Sequence, residues 1–131
     1  MRTFTAEGFP VSSPPMPDVH TELRAFALGL PEAAEDFPWG DRVAKVRGKI
    51  FVFLGDATAD TWRITIKLDE AHDHALWIDG ARPTGYGLGR AGWVTVPVAG
   101  LPLEVLRDWV EESYRLVAPK RLVNELDALA R

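Results

Sequence analysis

RVAKVRGKIFVFLGD, residues 42–56, is the stretch on which the fold turns. Two apolar runs flank Gly48 and Lys49, the form of a β-hairpin with a two-residue loop and glycine first, as a type II′ turn requires. With that turn Arg47 faces Ile50 and Lys45 faces Val52, while on the other side Val46 pairs with Phe51 and Ala44 with Phe53. A third strand follows in WRITIKL, residues 62–68, where Trp62, Ile64, Ile66 and Leu68 alternate with Arg63, Thr65 and Lys67. Such alternation marks a strand buried on one side. The meander therefore has one aromatic and apolar face. Its other face mixes Lys45, Arg47, Arg63 and Lys67 with Val43, Ile50, Val52 and Leu54.

Upstream, Asp18 can cap a helix whose Leu23, Phe26, Ala27 and Leu30 share one face, and Gly29 and Pro31 end it. EAAEDFPWGD, residues 32–41, reads as an acidic loop. Before the helix, Pro10, Pro14, Pro15 and Pro17 favour an extended arm. Downstream, Asp69 can cap a short helix, EAHDHALWI, closed by Gly80. A glycine-rich stretch leads into WVTVPV, whose Pro97 suggests an edge strand. LEVLRDWVEESYRLV then places Leu103, Leu106, Val110 and Tyr114 (or Val117) on one helical face, and Leu122, Leu126 and Leu129 recur likewise in a last helix. The expected architecture is a proline-rich arm (1–17) and one two-layer α+β domain (18–131). In it an antiparallel sheet, the meander plus a further strand, packs on helices in the order α-β-β-β-α-β-α-α.

At 131 residues and 47% hydrophobic content the chain suits one compact domain. It contains no cysteine, which rules out disulfides, thiolate metal sites and Cys nucleophiles. No run approaches a membrane helix, and the N-terminal segment lacks the build of a signal peptide, so a cytoplasmic monomer is expected. The formal charge of −4 argues against a strong polyanion binder. Charge is nonetheless unevenly placed. Residues 1–41 hold two basic and seven acidic residues, whereas 42–67 hold six basic residues against Asp56 and Asp60.

GLGRAG, residues 87–92, fits the G-x-G-x-x-G dinucleotide fingerprint. The fingerprint has physical meaning only between a buried strand and a helix whose N-terminus receives the pyrophosphate. Here the order is reversed, with a turn before and a strand after. The glycines read instead as a tightly turning loop beside the sheet.

KVRGKIFVFL, ITIKLD, TGYGLGRAGWVTV and EESYRLV, with the earlier LPEAAEDFPWG, together resemble the MmcQ/YjbR family in order and spacing over nearly all of residues 20–120. The resemblance implies a frataxin-like (CyaY-like) α/β fold, a bacterial source and DNA binding. The positions it carries over are Lys45, Lys49, Lys67, Tyr86, Trp93, Ser113 and Tyr114. Where family members commonly have polar and basic residues followed by His before the Trp, this chain has Gly89, Arg90, Ala91 and Gly92.

The expected function is a non-enzymatic module that binds DNA weakly and in a salt-sensitive way. Its contacts are Lys45, Arg47, Lys49, Arg63, Lys67 and Arg90, with Lys49 as a wing at the hairpin tip. The alternative is a protein-interaction or small-ligand module that uses the mixed face, with Tyr86 and Trp93 as contacts. No catalytic residue is assigned, because Ser113 has no base or oxyanion donor in any recognisable pattern. No cofactor or metal is expected. His72 and His74 lie about 200° apart around a helix, and Glu32, Glu35, Asp36 and Asp41 read as a solvated acidic loop rather than an iron site. Trp39, in a loop, is the tryptophan expected to be exposed.

Overall fold

The computed structural model describes residues 19–129 apart from 57, 59, 60, 86 and the side chain of Trp39. The arm at 1–17, the Asp18 cap, Tyr86 and the exposure of Trp39 therefore lie outside the described residues. The elements are α1 (Val19–Leu28), β1 (Ala33–Asp36), β2 (Val43–Val46), β3 (Lys49–Phe53), β4 (Arg63–Lys67), α2 (His72–Leu76), β5 (Arg82–Pro83), β6 (Trp93–Pro97), α3 (Leu103–Val117) and α4 (Lys120–Leu129). All strand pairs are antiparallel, in the order β1-β2-β3-β4-β6-β5. The α+β domain expected from the sequence is present, with two strands more than the four anticipated.

Both additional strands are short. AAED forms β1 inside the segment read as a loop, pairing Ala33 with Val46 and Asp36 with Val43. β5 is two residues long and pairs only with Val94 and Thr95. Consequently β6 lies between β4 and β5 rather than at the edge. Pro97 is tolerated because β5 does not reach it, so no ladder bond is asked of its missing N–H.

The hairpin turn falls one residue earlier than expected. Val46 pairs with Lys49, which makes Arg47 and Gly48 the loop, and both have positive φ (52° and 79°) as a type I′ turn requires. A bulge follows. Lys45 pairs with Ile50 but Ala44 with Val52, leaving Phe51 as the extra residue. A bulge turns two successive side chains to one side, and Phe51 and Val52 are both fully buried in the core. Alternation is thereby reversed beyond it. Val52 and Leu54 enter the core, while Phe53, expected there, faces outward opposite Thr65.

The core lies between one sheet face and the helices. Leu23 and Ala27 of α1, Ala75 of α2, Leu106, Trp109, Val110 and Tyr114 of α3, and Leu122 of α4 cover Val46, Phe51, Ile64, Ile66, Val94 and Val96. On α4, Leu129 of the expected apolar face is 70% exposed. α2 is shorter than expected and begins at His72, so Asp69 does not cap it. Instead the Glu112 carboxylate reaches over from α3 and accepts from Asp69 N (2.6 Å) and Ala71 N (3.2 Å). No helix among the described residues is long and apolar enough to cross a membrane.

Candidate binding face of the sheet

The sheet face turned away from the helices carries one row drawn from all six strands. Asp36, Val43, Phe53, Thr65, Thr95 and Arg82 are successive cross-strand partners, acidic at one edge and basic at the other. At its centre Thr65 Oγ1 and Thr84 Oγ1 both lie within hydrogen-bond distance of Thr95 Oγ1, at 2.9 and 3.0 Å. Phe53 meets the Trp93 ring edge-on, with centroids 5.7 Å apart. Neighbouring rows add Lys67 opposite Trp93 and Arg63 opposite Pro97.

Two hollows lie on or beside this face. One hollow, about 280 Å³, lies among Asp41, Phe53, Gly55, Arg63, Thr65, Thr84 and Leu88. The other, about 470 Å³, lies past the end of β4 and borders the helix layer, where Lys67 and Arg90 meet Asp69, His72 and Asp73 and Leu116 of α3 beside the glycine backbone at Gly89 and Gly92. The glycine segment has the bland role its order implied. Gly92 is in the left-handed region (φ 98°), and a Cβ there would stand 2.7 Å from the Leu68 carbonyl oxygen. At Gly89 a Cβ would stand 2.9 Å from Pro83. The segment opens into a single 3-10 turn, Leu88–Ala91, and not an α-helix.

The basic residues expected to act together are divided. Lys45 is ion-paired with Asp36 at 2.7 Å, and Arg47 with Glu32 at 2.6 Å. Arg42 and Arg24 share Glu35. Hydrogen bonds from Arg47 and Arg121 hold the Glu32 carboxyl below the usual range, and those from Arg24 and from Lys45 do the same for Glu35 and Asp36. Glu32, Glu35 and Asp36 of the acidic segment are therefore three anchors for cations, while Asp41 stands apart at the smaller hollow. Lys49, Arg63, Lys67 and Arg90 have no ion-pair partner among the described residues, and neither does Arg82, which sequence reading missed. A two-residue strand offers no alternation to read.

Trp93 is only 9% exposed, so little of it can touch a partner. Ser113 and Tyr114 are fully buried. Ser113 Oγ accepts from Lys67 N at 2.9 Å and donates to the Phe51 carbonyl. Tyr114 stacks edge-on against Phe51 and donates to Pro31 O at 2.7 Å. Both hold the scaffold behind the face.

The family model YjbR matches residues 28–116. The chain belongs to the YjbR family. The YjbR match runs from the end of α1 to the last turn of α3 and so includes the whole sheet, both hollows and the Ser113 bridge. Among curated proteins no match to the chain is found.

Proposed function

We propose that this YjbR-family protein is a non-enzymatic binding module that holds DNA weakly, by its phosphate backbone, through the cations of the sheet face turned away from the helices and of the β2–β3 turn. One observation carries the reading. Among the described residues, the cations without an ion pair are Lys49, Arg63, Lys67, Arg82, Arg90 and Lys120, and all but Lys120 belong to the β3–β4–β6–β5 half of the sheet or its loops. Unpaired cations give up no partner when they neutralise phosphate, and the counterions released from the nucleic acid favour the complex. The net charge of −4 and the carboxylates of Asp69 and Asp73 beside Lys67 keep the affinity low.

Labelled duplex DNA titrated by fluorescence anisotropy across a salt series tests this reading. Three to five phosphate contacts give a log-log slope of roughly −3 to −4.5. Arg63→Glu, Lys67→Glu and Arg90→Glu combined abolish binding, whereas Lys45→Gln with Arg47→Gln leaves it unchanged because those two are already engaged. A flat titration at low salt overturns the proposal. A second reading, a small-ligand module, is favoured by a separate observation: the smaller hollow combines an aromatic wall, hydroxyls and a guanidinium with no ion pair among the described residues.

A further inference from the structure

We infer that the hollow bounded by Phe53, Thr65, Thr84 and Leu88 receives one nucleotide, its base inside and its phosphate on Arg63. The inference rests on the DNA reading where the nucleotide belongs to a strand. Thr65, Thr84 and Thr95 carry three O–H donors between them, and the two hydrogen bonds that join them consume two. One donor and several lone pairs are left. Thr95 is only 8% exposed, so Thr65 and Thr84, which line the hollow, are the hydroxyls placed to present that capacity. A surface that both donates and accepts, without charge, suits the polar edge of a nucleobase rather than an anion. Phe53 and Leu88 give the base apolar contact, and the edge-on packing of Phe53 on Trp93 holds the aromatic wall in place. Asp41 at the rim is acceptor-only when ionised, which favours a base bearing an exocyclic amino group. Arg63 is exposed and has no ion pair among the described residues, leaving its guanidinium to the phosphate. A base paired inside a duplex cannot enter such a hollow. The preferred strand is therefore single.

The test compares oligo(dC), an abasic strand of equal length and free dCMP, each against the full-length protein at low salt. Oligo(dC) is expected to bind about tenfold more tightly than the abasic strand, the scale of one base stacked on an aromatic side chain. Thr65→Val, nearly isosteric, and Phe53→Leu should each reduce that margin severalfold while leaving abasic-strand affinity unaltered; circular dichroism checks that both fold, and Thr65→Val carries the test if Phe53→Leu does not. Equal binding of the two strands by the unaltered protein overturns the inference but leaves backbone binding standing. If dCMP alone binds, and Thr65→Val weakens it, the nucleotide site stands and the strand reading falls. Absence of binding to all three overturns both.

Discussion

Ser113 stands where the β3–β4 ladder would have its next rung. The ladder pairs Val52 with Ile66 and Phe53 with Thr65, so the continuation would join Phe51 to Lys67. The bulge at Phe51 opens that rung, and the Ser113 hydroxyl closes it by bonding both Phe51 O and Lys67 N. Replacing Ser113 with alanine strands two main-chain groups where the site is buried, at ~1–3 kcal/mol for each group left unsatisfied. Urea unfolding of Ser113→Ala should show a lower midpoint at unchanged slope; an unchanged midpoint would mean that water replaces the hydroxyl. Tyr114→Phe removes a single bond to Pro31 and should cost about 1 kcal/mol by the same measurement. Burial pushes the Tyr114 phenol above its ordinary pKa, so the donor persists through neutral pH. Nothing local in the sequence distinguishes Ser113 from any other serine on a helix, because its partners are 46 and 62 residues away.

At the scale of elements, the glycine segment shows how crowding and conformation separate. Gly87 has positive φ (78°) but open space around its would-be Cβ, whereas Gly92 has both positive φ and the Leu68 carbonyl in the way. Gly87→Ala should therefore cost about the 1–2 kcal/mol of a left-handed L-residue, and Gly92→Ala clearly more, read as melting temperatures. Equal losses would place the strain in φ alone. The same elements mark how far local pattern could be read. Long periodic segments such as α3 and β4 were legible, since their alternation survives in the structure. The hairpin was legible in kind but not in register, because Arg47 adopts the left-handed conformation expected of glycine and Phe51 is inserted as a bulge. β1 and β5 were not legible: AAED and RP carry little strand propensity, and they pair because β2 and β6 present edges to them.

Across the whole molecule, charge is sorted by pairing. The acidic segment 22–36 neutralises the first cations of the basic segment through Glu35–Arg42, Asp36–Lys45 and Glu32–Arg47. What remains positive is the far side of the sheet. The sequence exposed the local surplus of cations but not which of them are spent, since that depends on β1 lying beside β2. The same pairs set the acid response. Glu32, Glu35 and Asp36 have depressed pKa values in the folded protein, so over their titration range the unfolded chain binds more protons and stability rises with pH. It is lost as pH falls from the ordinary carboxylate value, about 4, through the lower folded values. Melting temperature should thus decline below about pH 4.5, and Glu35→Gln should flatten that decline; an identical profile in the variant would assign acid sensitivity elsewhere.

The Ser113 bridge also fixes an order of events. The hairpin and β4 can meet without α3, but their ladder is completed only when Ser113, 46 residues beyond Lys67, is docked against it. Until then the Phe51 carbonyl and the Lys67 amide lack the partner that joins them in the folded protein. The meander and α3 are thereby coupled, so that undocking α3 also opens the ladder at Phe51 and Lys67.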